Sequence, residues 1–532
     1  MKKNIYNLCL ILLCGMLNSS CLDLVREDST RVSMEDFLKN EDDLRLYVYS
    51  LYKPFGSSQG DVSVAGFYAT LDGGYFALTE NTTDILTSEK TNVTAPSIVC
   101  NTHDWDLVAS ANLVTPLYQK FLPRLTYISK ARMAALRIMQ TTVNNKEKYA
   151  AEAKAIIGWA GMILYDMFGP LPYPSDEQLL YWDEHPLEGE WIARPSSEDF
   201  LAYLEENLTE AIPFLPETQD TWGRLTKGAA SMILLRVHLM QKDFVKAKAV
   251  AKSVYEMGKE GGGSTYELMK DYSKIFSIDN QRNSELILAI PCDGTKDYSP
   301  NQWYCAAMPG DYPHISTAAK GSNSHRMRWA FYDTYEKGDK RLNTIVAEYV
   351  NNKGKKVKRG DKNLENGALP FKYDQDPTTQ GNFAKNDIPV FRYAEAILGY
   401  AEAINETEGV TDLAIHLVNL IRSRAGLSNI EEINGGEKVA SPEAFREAIL
   451  EERGHELYGE GVRHMDLVRM GKFVEYGKRG LSAYSLSKYN EDPRRAVFPI
   501  DPQMVIDSKG VIEQNEAYKY CLLYTSPSPR DS

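Results

Sequence analysis

The chain has 532 residues and carries 73 acidic against 60 basic side chains, a formal net charge of −13. Phosphate binding needs clustered Lys and Arg, so this balance excludes nucleic acid as a partner; the one basic stretch, NNKGKKVKRGDKN at 351–363, reads as a solvated loop. The length suffices for a large core, and 32 tyrosines, 17 phenylalanines and 7 tryptophans also supply the material for stacking platforms.

At the N-terminus, Lys2 and Lys3 precede an apolar run from Leu8 to Leu17 and the small residues Ser19 and Ser20. This is the layout of a secretory signal peptide over residues 1–20. The run is shorter than the ~18 apolar residues of a transmembrane helix. Small residues directly before Cys21 resemble a bacterial lipobox, although Asn18 stands where leucine is usual. Cleavage there leaves Cys21 as an acylated first residue, with the polar LDLVREDST as its tether.

Residues 56–112 are rich in Gly, Asn, Ser and Tyr, and helical periodicity fails there. A first helical block spans about 114–258. In KYAAEAKAIIGWAGMILYDMF, Ala151, Ala155, Trp159, Met162 and Phe168 recur at helical spacing until Gly169-Pro170 stops the run. Ser197 is the expected N-cap of the next helix, with Glu198 and Asp199 in the first turn, where the helix dipole favours acids. TKGAASMILLRVHLMQKDFVKAKAVAKSVYEMG predicts two helices, with a turn at Gln241–Asp243 and an end at Gly258. Ala229, Ala247 and Ala251 on their inner faces let helix axes approach closely.

Residues 259–389 are again irregular, apart from ELILAIPC, a short buried strand, and RMRWAFYDTY, a helix. The second helical block spans about 390–476 and carries Ala394, Ile397, Ala401 and Ile404 on one stripe. Helix pairs with small residues at the crossings and short turns are what degenerate tetratricopeptide-like arrays look like. The predicted fold is therefore mainly α: a tetratricopeptide-like helical-pair scaffold with long irregular loop excursions, forming one domain over 21–520. The final stretch, CLLYTSPSPRDS at 521–532, reads as a sequencing adapter translated in frame and is excluded.

Once Cys9, Cys14, Cys21 and Cys521 are set aside, Cys100, Cys292 and Cys305 remain. They make no disulfide framework, though Cys292 and Cys305 are open to pairing in an oxidising compartment. RGHELYGEGVRH fails as a zinc site, because a second histidine one helical turn after His455 is needed and Gly459 stands there. GEGVRH is no dinucleotide fingerprint, and there is no G-x-S-x-G elbow and no P-loop. A glycosidase needs only two well-placed carboxylates, and nothing singles out such a pair.

Several segments, taken in order, resemble the SusD/RagB family of nutrient-binding outer-membrane lipoproteins. They are AEAKAIIGWAGMILYDMFGPLPY, GRLTKGAASMILLRVHLMQKDFVKAKAVA, FYDTYEKGDKR, FRYAEAILGYAEAINE, ERGHELYGEGVRHMDLVRMGKF and FPIDPQMVIDSKGVIEQNEAY. Glu452, Arg453, Glu456, Gly461, Arg463, Asp466, Leu467 and Arg469 fit the C-terminal pattern; Gly454 departs from it, where a second arginine is common. The resemblance covers about 150–518. It implies a receptor without enzymatic activity or cofactor, lipid-anchored through Cys21 at the outer-membrane surface. Such a receptor captures oligosaccharides and caps a SusC-like TonB-dependent transporter barrel. Peptide or glycopeptide capture by the same fold is the alternative, a lipoprotein glycosidase a further one, and a scaffold binding only its barrel a third. The resemblance also implies that pairs of the Glu452/Arg463 type are ion pairs that lock helices together rather than touch ligand.

Sugar rings present apolar C–H faces that stack on aromatics, and hydroxyls that need amides and carboxylates. Candidates are therefore aromatics in the irregular segments. GGYFALTENTTD offers Tyr75 with Asn81 and Asp84; NTHDWD offers Trp105 beside Asp104; DYSPNQWYCAAMPGDY offers Gln302, Trp303 and Tyr304. Trp159 and Trp329 are assigned to packing, and Trp182 and Trp191 after the Gly-Pro exit are weaker choices.

Overall fold

The computed structural model describes residues 37–56, 66–69, 74–87, 96–104, 126–295 and 300–519. The expectations for residues 1–20, Cys21, Trp105 and 521–532 lie outside the described residues. The principal helices before the long excursion are α1 (Glu41–Ser50), α2 (Tyr75–Glu80), α3 (Tyr127–Gln140), α4 (Lys146–Phe168), α5 (Asp176–Glu184), α6 (Ser197–Ala211), α7 (Lys227–Gln241) and α8 (Phe244–Met257). Within it lies α9 (Trp303–Ala307), and after it come α10 (Tyr393–Glu408), α11 (Asp412–Ala425), α12 (Pro442–Leu457) and α13 (Arg463–Arg469).

The long helices stack in a row: α3 on α4, α4 on α6, α6 on α7, α7 on α8, α8 on α10, and α10 on both α11 and α12. Each buries one face against the helix before it and another against the helix after it, which is how helical-pair arrays build a continuous core. The crossings depend on small residues. A Cβ at Gly158 or Gly161 of α4 would come within 2.6 and 2.3 Å of Leu208 and Leu204 of α6. Ala229, Ala247 and Ala251 are wholly buried at the predicted close approaches. So is the predicted stripe of α10, Ala394, Ile397, Ala401 and Ile404.

Helix ends follow local chemistry. Gly169 takes φ +74° and ends α4, as its Gly-Pro sequence predicts. Lys242 takes φ +59° in the turn between α7 and α8, and Asp243 caps the following helix. The N-cap of α6 is Ser196, not the expected Ser197: its hydroxyl accepts the Asp199 amide at 3.0 Å, which leaves Ser197 as the first helical residue. Trp159 and Trp329 do serve packing. The first stacks on Phe55 at 3.7 Å and donates to Tyr68; the second donates its indole N–H to the Leu364 carbonyl.

Among the described residues seven short strands organise the rest: β1 (Leu86–Thr87), β2 (Leu286–Ile290), β3 (Arg326–Arg328), β4 (Glu348–Val350), β5 (Lys356–Lys358), β6 (Gly367–Ala368) and β7 (Ile388–Arg392). β2 is the strand expected in ELILAIPC. It pairs antiparallel with β7, which runs directly into α10, so the excursion leaves and rejoins the helical array through one two-stranded clamp. β1, β3 and β6 form a three-stranded sheet joining three distant segments. The basic stretch at 351–363 keeps its lysines and Arg359 exposed but is no plain loop: its β5 segment pairs with β4, and the facing residues Tyr349 and Val357 are buried.

One further expectation is corrected and one open point is answered. RMRWAFYDTY is helical only over Trp329–Tyr332, because Arg328 turns inward to donate to the Leu86 and Gly477 carbonyls while its amide bonds Ile85. Cys292 and Cys305 are not bridged to each other, and their sulfurs point at the carbonyls of Ile290 and Gly381 respectively.

Candidate functional site

The six described residues expected at the ligand are all interior. Tyr75 donates its hydroxyl to Asp166 at 2.9 Å and to the Gly461 carbonyl at 3.1 Å. Asp84 takes a bidentate pair from Arg463 at 2.9 and 2.8 Å. Asn81 is buried, its carbonyl accepting the Asn101 amide. Trp303 donates its indole N–H to the Pro370 carbonyl at 2.9 Å, and Gln302 is buried beside it. Tyr304 is buried as a ring, with its hydroxyl 3.0 Å from His314 Nδ1. The irregular sequence around these residues folds inward, because each aromatic finds a hydrogen-bond partner for its polar atom, a carboxylate and a carbonyl for Tyr75, a carbonyl for Trp303 and an imidazole for Tyr304, which offsets the cost of burial.

The two groups meet at one turn, Tyr458–Val462. Gly459 takes φ +66° with the Trp303 ring against its α-carbon, and Gly461 takes φ +71° against the Tyr75 ring. Between them, Glu460 buries its carboxylate on Arg392 and Lys372. Around that turn runs a network of buried ion pairs. Arg392 bonds Glu285, Glu456 and Glu460; Arg424 bonds Glu285 and Glu456; Arg341 bonds Asp339 and Glu452. Arg453 and Arg469 share Asp466, and Arg469 also holds Glu402. Burial opposes ionisation of Asp466, yet Arg453 and Arg469 outweigh it and hold the carboxyl at about 2.

These charges lock helices, as the resemblance implies, but with other partners than expected. Glu452 is held by Arg341 and Arg422, and Arg463 reaches back to Asp84. His455 and Glu456 do not converge on a metal position: His455 bonds Thr334 and Glu456 is enclosed by arginines.

What reaches solvent is the outer edge of the same loops. Tyr304 contacts Phe371 with ring centres 5.9 Å apart, Phe371 contacts Tyr312 at 6.3 Å, and Tyr312 contacts Tyr349 at 5.2 Å. Tyr312 and Phe371 are half-buried, each leaving part of a ring open, and Ile315 beside them is exposed. Polar groups edge the patch. Asp311 accepts from Tyr349, Asn351 and Asn363, and Gln375 ties down the Ile315 amide. An aromatic shelf held by buried rings and bordered by carboxylate and amides is suited to a sugar: the shelf meets the C–H face, the border meets hydroxyls. Of the predicted residues only Tyr304 belongs to it, as its buried support. Sequence reasoning missed Tyr312 and Phe371. The signal was the Pro-Gly-Asp-Tyr-Pro turn at 309–313, which keeps Tyr312 at a loop crest.

Comparison with known proteins gives one consistent answer. Residues 251–518, half of the chain, match the model of the SusD family. The starch-binding protein SusD of Bacteroides thetaiotaomicron is 24% identical over 420 residues, covering 66% of this chain and 70% of that protein. Among solved structures, a SusD homolog from Bacteroides thetaiotaomicron superposes with a TM-score of 0.73 at 20% identity, over 92% of this chain and 99% of that one. Surface glycan-binding protein A from the same organism, solved in complex with laminarihexaose, gives a TM-score of 0.68 at 19% identity, over 90% of this chain and 100% of that one.

Proposed function

This chain belongs to the SusD family, and we propose that it captures oligosaccharides on the loop-side shelf of Tyr312 and Phe371 and delivers them to a SusC-like TonB-dependent transporter. The observation that carries the reading is the shelf itself: two half-exposed rings braced from below by Tyr304 and Tyr349, with Asp311 and Gln375 at its border. The starch and laminarihexaose in the names of its relatives agree with this ligand class. The anchor is Cys21, acylated at the outer-membrane surface. One acyl chain binds a membrane only marginally, so stable attachment takes more than one. Binding without turnover is favoured because the acids of the C-terminal motif are committed to arginines inside the protein.

Affinity electrophoresis through gels containing host and plant polysaccharides tests this. Retardation by a neutral glycan, lost in Tyr312→Ala and Phe371→Ala while both melt normally, is the expected result. Binding that survives both variants sinks the assignment of the shelf. Release of a chromophore from an aryl glycoside, abolished by one carboxylate substitution, points instead to a glycosidase. Binding of peptides alone transfers the fold to peptide capture.

A further inference from the structure

Trp182 stands where two clefts on the helical side of the molecule meet. The wider, of about 670 Å³, opens between α1, α3 and α5, and is bordered by Tyr47, Lys53, Lys130, Met133, Arg137 and Asp183. The narrower, of about 220 Å³, continues past Trp182 to Trp191, walled by Pro172, Ile192, Ile500 and Met504. Thr126, Ser129, Leu179 and Trp182 line both, so the two form one groove. The wider cleft alone falls within the usual range of ligand sites.

The groove is built, not incidental. Ser175 and Gln178 close a capping box at the start of α5, and Arg132 clamps Asp176 through two 2.7 Å bonds from α3. Arg137 pairs with Asp183 two turns further along α5. These ties, with Leu179 buried as the floor, hold Trp182 at the junction. Trp191 is 48% exposed at the far end. Trp182 is half-buried, so two large indoles are left partly open along one groove, which is unusual for a residue that packs well inside.

Charge distinguishes the two halves. The wide half carries three cations, Lys53, Lys130 and Arg137, against the single carboxylate of Asp183. The narrow half sets Glu190 against Arg194, whose guanidinium already serves the Phe168 and Pro170 carbonyls. A net positive cleft on a chain of charge −13 runs against the background. Among the described residues its walls are helices and turns, with no strand edge running along it to pair with an extended peptide backbone.

We propose that this groove is a second glycan site, selective for oligosaccharides that carry carboxylate or sulfate groups. Sugar rings stack on Trp182 and Trp191, and the acidic substituents lie against Lys53 and Lys130. The site is separate from the loop-side shelf and does not depend on it.

Calorimetric titration of the protein with four probes tests this: an oligogalacturonate hexamer, its neutral methyl ester, a sulfated oligosaccharide of equal length, and hexaglutamate. The expected result is binding of one or both acidic sugars in preference to the methyl ester, weakening with salt. Trp182→Ala lowers that affinity at least tenfold. Lys53→Gln with Lys130→Gln, two exposed positions that do not threaten folding, removes the preference for the acid over its ester. Tyr312→Ala leaves acidic-sugar binding unchanged, which separates failure here from failure of the loop-side reading. Equal affinity for acid and ester, retention in the double lysine variant, loss in Tyr312→Ala, or binding of hexaglutamate alone each overturns the proposal.

Discussion

Arg463 holds Asp84 across 379 residues of sequence, with both guanidinium bonds under 3 Å and both side chains buried. The pair ties α13 to the turn after α2, and so the C-terminal motif to the N-terminal part of the fold. Removing one partner leaves a buried charge uncompensated, at a cost of about 3–5 kcal/mol. Asp84→Ala is therefore expected to lower the denaturation midpoint strongly while leaving glycan affinity per folded molecule unchanged. Chemical denaturation and calorimetry on the same sample check this. An unchanged midpoint with lost affinity would return Asp84 to the ligand.

Gly459 and Trp303 make a second coupled pair. A Cβ at Gly459 would stand 2.8 Å from the indole ring, in a backbone conformation that L-residues rarely adopt. Gly459→Ala should cost about 1–3 kcal/mol from the backbone alone, plus the clash. Trp303→Ala opens a cavity in the core and should cost about 3–5 kcal/mol. In the double variant the methyl enters space the ring has left, so the two losses should sum to less than additivity, with a coupling of about 0.5–3 kcal/mol. Strict additivity in urea titrations of the four proteins would mean that the turn is not braced by the indole.

The helical array was legible because periodicity, caps and small crossing residues act locally: Ala394, Ile397, Ala401 and Ile404 announce a stripe, and Gly169-Pro170 a stop. The proposed ligand face was not. Trp303 and Tyr75 lie in Gly- and Asn-rich sequence that looks exposed, but their burial is decided by Pro370, Asp166 and Gly461, partners far away in the chain. Nor does spacing reveal that Arg463 chooses Asp84 over Glu452. Long-range pairing, not composition, sorted the buried aromatics from the half-exposed Tyr312 and Phe371.

The thiols give a direct chemical check. Cys305 is buried, and burial pushes its thiol up to about 11, so little thiolate forms at neutral pH. Cys292 is half-buried at the exit of β2. Alkylation of the native protein at pH 8 followed by peptide mass spectrometry should label Cys292 well before Cys305, and denaturation should equalise them. Recovery of a peptide bridged between 292 and 305 would contradict the unbridged arrangement.

Glu80 supplies the pH dependence. Its carboxyl is buried beside the Gly461 amide, which donates to one oxygen at 2.9 Å, while the other oxygen has no hydrogen-bond partner. Burial pushes the group from the usual 4.5 up to about 7, against the smaller pull of Gly461, Lys372 and Arg463. Folding thus favours the protonated acid. Its contribution is complete below pH ~4.5, falls as pH rises toward ~7, and is gone above that, a swing of about 3 kcal/mol. Buried His103, drawn down to about 3 by desolvation, slopes the opposite way between pH ~3 and ~6.5. Lys372, lowered to about 8 by burial, adds a rising slope above that value. Wild type alone therefore mixes the three. The difference between Glu80→Gln and wild type isolates Glu80, because the amide cannot ionise and the other two groups remain in both proteins. Urea midpoints measured from pH 5 to 7.5 should show the variant gaining on wild type throughout that range. Parallel curves would mean that Glu80 is already ionised in the fold at pH 5, and that its unpartnered oxygen finds a donor.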